Sequence, residues 1–359
     1  MAAFASSTAT RTSRAALVAS LVVVVLLAVA PRFLPRSATQ DMLQVFLLVA
    51  MAQCWNLLAG YAGLISVGQQ TFVGLGGYGL FAGAITLGLD PLLSVALAAV
   101  VVTALAFPIG ALVLRMQGAY FAVATWVVAE VFRILLAQWM ALGGGTGMSL
   151  PGSAITNQTA VHWVSDAFEV RAAAAREIII YWIALTATVG VIAAIYWLLR
   201  SRLGLALSAI RDGEVAAGSV GVDIWRNKLI VYAIAACGTT LAGALYFLSN
   251  GHISPDAAFS VLDWTAYIIF IVVIGGIGTI EGPLLGAVIF VVLRSTLSGY
   301  GPWYLILIGA LGTAVMLAAP KGFWGTFSQR TGVQLFPTRR RLAAILPTPI
   351  EAEARHADP

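Results

Sequence analysis

Long apolar runs alternate with short polar stretches along most of this chain. A helix needs about 20 mostly apolar residues to cross a bilayer. About ten stretches meet that requirement within the usual tolerance: Ala15–Leu34, Met42–Ala59, Ser66–Leu89, Leu92–Leu114, Ala119–Met140, Ile178–Leu199, Leu229–Ser249, Leu262–Ile280, Pro283–Ser298 and Trp303–Ala319. The pattern predicts an all-α, polytopic membrane helix bundle.

The polar stretches orient that bundle. With the N-terminus inside, the inner segments carry Arg115, the group Arg200, Arg202, Arg211, Arg226 and Lys228, and the tail from Lys321 onward. The outer segments carry Asp90, the stretch from Gly143 to Glu177, and Asn250 to Asp263. Arg171 and Arg176 fall outside, accompanied by Asp166, Glu169 and Glu177. Positive charge concentrates on cytoplasmic loops, so both termini are expected in the cytoplasm. Arg11 and Arg14 ahead of an apolar run, with Ala28-Val29-Ala30 behind it, also follow the grammar of a cleaved signal. Retention as a first helix keeps the charge pattern consistent and is the expectation. The chain divides into a cytoplasmic segment 1–14, a transmembrane unit 15–319 and a cytoplasmic tail 320–359. Within the unit lie a polar cytoplasmic loop 200–227 and an outer loop 141–177, whose residues Ala160–Arg176 suit a surface helix.

Composition agrees. Apolar residues make up 60% of the 359 and charged residues 10%, far from the roughly one quarter charged of soluble domains. The net charge of +5 reads as topology, since no basic face with interleaved aromatics argues for nucleic acid. Cys54 and Cys237 both sit in apolar runs, which suits packing and not a disulfide framework. His162, His252 and His356 are too scattered for a metal site, and no catalytic cluster stands out. Gly74-Leu-Gly-Gly-Tyr-Gly79 spells a dinucleotide fingerprint but lies in a span without the strand–turn–helix context.

One polar interruption stands out: "IRDGEVAAGSVGV", Ile210 to Val222, between two apolar runs. Asp212 is suited to cap a helix, Glu214 favours the positive end of its dipole, and Gly221 suits its C-terminal stop. Two short helices joined at Asp212-Gly213 are expected. The second presents the slim residues Ala216, Ala217 and Val220, while Arg211, Asp212 and Glu214 supply charge. Such a helix fits a groove on a cytosolic partner; a solvated connector has the same composition.

Gly204 to Gly221 resembles the coupling loop of ATP-binding-cassette importer permeases. More narrowly it resembles the M-type branched-chain amino acid permeases, whose Ala-Ile-Arg-(Asp/Glu)-x-Glu-x-Ala-Ala-x-x-x-Gly pattern is met at every fixed position from Ala209 to Gly221. "WNLLAGYAGLISVGQQTFVGLGGYG" (Trp55–Gly79), "AYFAVATWVVAEVFRILL" (Ala119–Leu136) and "GGGTGM" (Gly143–Met148) are similar to further blocks of that family in the same order. Gln69-Gln70 departs from the family's more usual His-Ala type pair, which leaves the cargo open. The resemblance spans about Leu43 to Gly325 and implies an importer subunit driven by two cytosolic ATPase subunits docked on the coupling helix. It further implies a heterodimer with a second, related permease, a periplasmic or lipid-anchored solute-binding protein, and residence among the lipids of a bacterial cytoplasmic (inner) membrane. No Gly-x-x-x-x-Gly-Lys-(Ser/Thr) occurs, so ATP is expected on partner chains and no cofactor or metal on this one.

Glycine-rich zones at Gly60–Gly83 and Gly275–Gly286 suit close packing or broken helices, and allow an internal repeat. Asn56, Ser66, Gln69, Gln70 and Thr71 near the first zone either line a translocation path or bind freed backbone groups. Glu130 and Arg133, three apart, form an intramembrane ion pair that either fixes packing or serves the path. An ion-coupled carrier using Glu130, Asp263 or Glu281 is the rival reading.

Overall fold

The computed structural model describes residues 4–7, 11–151, 159–168, 171–297, 299, 301, 303–319, 321–331, 335–336 and 341–344. Glu169 and His356 lie outside them.

Each apolar stretch picked out by pattern contains a helix. The helices are α1 (Arg11–Val29), α2 (Arg36–Asn56), α3 (Gln69–Phe81), α4 (Pro91–Val113), α5 (Ala119–Gln138), α6 (Thr159–Phe168), α7 (Ala172–Arg200), α8 (Arg202–Asp212), α9 (Glu214–Ser219), α10 (Ile224–Asn250), α11 (Pro255–Ala258), α12 (Tyr267–Gly275), α13 (Glu281–Leu297), α14 (Trp303–Ala318) and α15 (Gly322–Thr331). Among the described residues, 7 helical segments are long and apolar enough to cross a membrane by length and composition. This is an all-α, multi-pass membrane bundle. Strand is confined to two short antiparallel pairs among the described residues: Met148–Ser149 with His252–Ile253, and Phe4–Ser7 with Arg341–Ala344.

The core is built on α2, α3 and α10. Residues 46–56 of α2 are buried on every side, and α3 is buried almost throughout. α10 packs on α2, α3 and α4, while α7 covers α2 and α13 pairs with α12. Helices α4 and α5 turn long apolar faces outward. An apolar exterior around a buried, small-residue core is the reverse of a soluble domain and the expected form in lipid.

Charged contacts fix the two ends of α2. At its start Arg36 donates to Glu177 at the beginning of α7, with Nε to Oε2 at 2.7 Å. At its far end the Gly60 carbonyl accepts from Arg211 of α8, Nη1 to O at 3.0 Å. The Arg36 end is called the upper end below and the α8–α9 end the lower. At 1.5 Å per residue the separation is about 36 Å, enough for a bilayer core.

Four sequence expectations need correction. The stretch expected as one span from Leu262 to Ile280 breaks after Gly275, where Gly276 and Gly278 take φ of 135° and 74°, a region open chiefly to glycine. The stretch expected to be helical from Ser66 begins at Gln69, because Ala62–Gly68 is non-helical and bonded to its neighbours instead. The surface helix expected over Ala160–Arg176 is two elements, with Arg176 and Glu177 already in α7. Asp212 does not cap the second short helix: it closes α8, and extended Gly213 occupies the cap position of α9.

Candidate functional site

Two interruptions of apolar helices meet at the lower end. After Asn56, α2 widens into a π turn over Leu57–Tyr61. Opposite lies the turn between α12 and α13. Asn56, fully buried, donates through Nδ2 to the Thr279 carbonyl at 2.7 Å and accepts at Oδ1 from the Gly278 N–H at 2.8 Å. Gln53, one turn earlier, donates to the Ile280 carbonyl. A backbone turn inside a membrane protein must have its polar groups satisfied by protein, and these two amides do that. Gly60 lies so close that a Cβ there would stand 2.6 Å from the Gly278 nitrogen. The two glycine zones of the sequence therefore touch. Thr279 Oγ1 closes the turn, donating to the Gly276 carbonyl at 2.8 Å and accepting from the Gly282 N–H at 3.0 Å. The Glu281 carboxylate accepts N–H groups of Leu335 and Phe336 at 3.0 and 2.9 Å, and Phe336 packs on Tyr196. A piece of the tail is thereby held against this turn.

The second layer lies deeper. From the lower end, Ala62–Gly68 climbs back as non-helical chain, and α3 starts only at Gln69. Its backbone is held by Trp55 Nε1 to the Ser66 carbonyl (2.8 Å), by Val67 N–H to Thr125 Oγ1 (3.1 Å) and by Gly68 N–H to Ser66 Oγ (3.2 Å). The Ser66 hydroxyl thus serves backbone. Gln69 Nε2 reaches Thr239 Oγ1 of α10 at 3.5 Å, and the Gln70 amide meets Thr265 through both its backbone N–H (3.4 Å) and its side chain. Thr265 is about 15 Å above Gly275 by helical rise, so α3 begins near half depth. Gln69, Gln70, Thr71 and Thr240 are all buried there. Gln69 Oε1, Gln70 Nε2, Thr71 Oγ1, Thr240 Oγ1 and, farther up α3, Tyr78 Oη have no hydrogen-bond partner.

The upper end closes this layer. The Phe259 ring lies over Gly74 of α3, stacked beside Tyr78 at 6.3 Å between centroids. It follows α11, whose Asp256 accepts from Arg133 Nη1 of α5 at 2.7 Å. The same guanidinium grips Glu130, Nη2 to Oε1 at 2.6 Å and Nε to both oxygens at 3.0 Å. The Glu130–Arg133 pair expected from sequence is made, Asp256 joins it as a third member, and the half-exposed triad fastens the segment that carries Phe259. On α13, Arg294 stacks over the Tyr267 ring at 5.7 Å.

At the lower tip, α8 and α9 project from the bundle. Arg211 also contacts its neighbour Asp212, Nη2 to Oδ1 at 3.3 Å, while Glu214 pairs with buried Lys228. Arg211 and Glu214 thus bind the tip to α2 and α10. Ala217 is buried beneath it, so of the slim pair only Ala216 faces outward. Val215 and Val220 are 90% and 77% exposed. Gly221, with φ of 86°, ends α9 as expected, and the Val222 N–H returns to the Ala217 carbonyl at 3.1 Å.

Sequence reasoning named Gln69, Gln70 and Thr71 but missed Thr125, Thr239, Thr240 and Thr265. A threonine inside a helix ordinarily bonds its own preceding turn, so nothing in the one-dimensional pattern singles those threonines out.

Interrupted apolar helices around a closed polar layer, with a tethered short-helix tip at one end, define a membrane transport permease. The chain matches the family described as branched-chain amino acid transport system / permease component over residues 37–320. It is 30% identical over 296 residues to the high-affinity branched-chain amino acid transport system permease protein LivM of Salmonella typhimurium, covering 79% of this chain and 68% of that one. The protein of the same name from Escherichia coli is 29% identical over 314 residues, 84% and 73% of the two chains. A probable branched-chain amino acid transport permease protein LivM of Methanocaldococcus jannaschii is 32% identical over 103 residues, 29% and 30% of the two. No solved structure matches significantly. The chain belongs to the branched-chain amino acid transport system permease component family, and it is a transporter component, not an enzyme.

Proposed function

We propose that this chain is the membrane-spanning subunit of an ATP-binding-cassette importer in a bacterial cytoplasmic membrane, carrying branched-chain or related small amino acids. ATP is bound and hydrolysed on two cytosolic ATPase subunits. A second, related permease completes the membrane part, and a periplasmic or lipid-anchored binding protein delivers cargo at the upper end. In this reading both termini are cytoplasmic and all ten apolar helices belong to the membrane unit.

The observation that carries the reading is the tip at α8–α9. A six-residue helix that exposes Val215, followed directly by exposed Val220, has no stability reason to turn them outward, and exposed apolar groups rimmed by charge mark a docking face. Arg211 and Glu214, bound inward, join that face to the bundle, so Asp212, Val215, Ala216 and Val220 are the residues offered to the ATPase. An ion-coupled carrier needs a carboxylate in the path. Glu130 is gripped by Arg133, Glu281 holds tail backbone, and Asp263 is exposed at the upper end. None of the three lies in the half-depth layer. The test is Val215→Asp, which leaves Arg211 and Glu214 in place. The ATPase subunits should cease to co-purify while the chain remains in the membrane at wild-type abundance. Undiminished co-purification would overturn the docking assignment.

A further inference from the structure

The tail residues Leu335 and Phe336 occupy a place that the permease reading leaves unused. Their backbone N–H groups donate to one oxygen of the Glu281 carboxylate, at 3.0 and 2.9 Å, where α13 begins. Glu281 is only 8% exposed. A carboxylate withdrawn from water needs hydrogen-bond donors, and among the described residues its donors are these two N–H groups. Phe336 then sets its ring T-shaped against Tyr196 of α7, 5.8 Å between centroids, and packs on the main apolar core. Tyr196 is itself placed by Arg200, which donates to its hydroxyl at 3.0 Å and lies 5.3 Å from its ring centroid.

Two bodies meet at this dipeptide. α7 runs past Tyr196 to Arg200 and passes into α8 across Ser201 alone, so a contact on Tyr196 is a contact on the helix that carries the tip. Glu281 follows directly on the turn over residues 276–280, which Asn56 and Gln53 tie to α2. α15 rests on the same turn, where a Cβ at Gly322 would fall 2.5 Å from the Gly276 Cα. Among the described residues α7 and α13 share no extensive packing of their own. The dipeptide bridges that interval. Its hold is breakable: two charge-assisted bonds and one ring contact, no helical ladder, and both residues partly exposed.

We propose that Leu335 and Phe336 form an autoinhibitory wedge. Seated between α7 and α13, it fixes the tip-bearing helix to the lower turn and restrains ATP hydrolysis by the docked ATPase until the tip pulls it free. This rests on the importer reading above and adds regulation by the chain's own tail. Movement of the tip relative to the turn strains both halves of the seat at once, because one half lies on each body. A contact made in the resting arrangement and lost in the moved one shifts the population toward rest.

The test uses the full chain reconstituted in proteoliposomes with its ATPase and binding-protein partners. It reads ATP hydrolysis in the absence of binding protein and cargo. Phe336→Ala removes the ring contact and Glu281→Ala the carboxylate, so each should raise this resting rate severalfold at an unchanged melting temperature of the complex. The double variant should be no faster than the faster single one, since both changes undo one seat. Phe336→Tyr, which keeps the ring, should hydrolyse at the wild-type rate. A plain brace gives the other sign: an equal or slower rate with a lower melting temperature, and that result in Phe336→Ala overturns the wedge. A double variant showing the product of the two single effects also overturns it, because the two residues would then act separately. If no ATPase co-purifies with the wild-type chain, the importer reading fails and the wedge's role falls with it. A co-purifying ATPase whose resting rate ignores both substitutions sinks the wedge alone.

Discussion

Asn56 offers the sharpest division between frame and path. Sequence places it beside Gln69 and Gln70 as a polar residue near a helix break, yet its amide is committed to the turn between α12 and α13. The perturbation is Asn56→Leu, which keeps the branched shape and removes both polar atoms. It strands the Gly278 N–H and the Thr279 carbonyl, now 2.8 and 2.7 Å from the amide. A buried backbone group left without a partner costs about 1–3 kcal/mol. Side-chain couplings measured within membranes average nearer 0.6 kcal/mol. Two stranded groups in a fully buried site therefore sum to about 3 kcal/mol. Two to four degrees per kcal/mol holds for chains of 150–250 residues, and this longer chain responds less steeply, so a drop of about 5 °C in the apparent melting temperature is expected. The assay is thermal unfolding of the detergent-purified chain, scanned at one fixed rate because membrane proteins rarely unfold reversibly, beside uptake at a temperature where both forms are folded. Melting should fall and uptake per folded molecule should change less than twofold. A variant with wild-type melting and lost uptake would mean that Asn56 meets the cargo, and the assignment of the lower turn as frame would be wrong.

Two further outcomes follow from contacts at the lower end. Arg211→Ala removes a charged donor from the Gly60 carbonyl, an interaction of about 1.5–3 kcal/mol if fully buried and less here because the side chain is partly exposed; the ATPase should still co-purify while cargo moved per ATP hydrolysed falls severalfold, and an unchanged ratio would remove Arg211 from the coupling route. Glu281→Ala frees the N–H groups of Leu335 and Phe336, so limited proteolysis between α15 and the tail should quicken several times at equal melting temperature, and an unaltered rate would show that something other than the carboxylate holds that segment.

The all-α class and the helices themselves were legible because lipid imposes a plain rule: a span must be long, apolar and internally bonded. The family was legible in the ordered blocks around Trp55–Gly79 and Ile210–Val222. Where the reading went astray, a local signal was answered by a distant partner. Asp212 reads as a cap, but Gly213 can adopt the extended backbone that separates α8 from α9, so the aspartate falls one position short. Arg211 and Glu214 read as outward charges, but Gly60 and Lys228, far away in sequence, draw them inward. Glu130 and Arg133 read as a couple, and the third member arrives from a segment more than a hundred residues later. Thr239, Thr240 and Thr265 carry no sequence mark because a threonine's partner is decided by which helix lies opposite.

These contacts also order the parts mechanically. α2 is held at both ends, by Glu177 above and Arg211 below, and is buried between them, so it moves as a rod or not at all. α3 is different. It joins α2 only through the non-helical Ala62–Gly68, whose bonds to Ser66, Thr125 and Trp55 are few and can be exchanged without breaking a helical ladder. A displacement of α8 and α9 reaches the Gly60 carbonyl first and the Gly278 turn with it, since Asn56 ties the two. The next compliant element along the chain is Ala62–Gly68, and what it moves is the start of α3, where Gln69, Gln70 and Thr71 sit. On this reading the break after α2 is more than a way to place polar groups at half depth. It is the joint at which motion of a cytosolic partner becomes motion at the polar layer, and stiffening it should uncouple ATP hydrolysis from uptake without touching either the docking face or the layer itself.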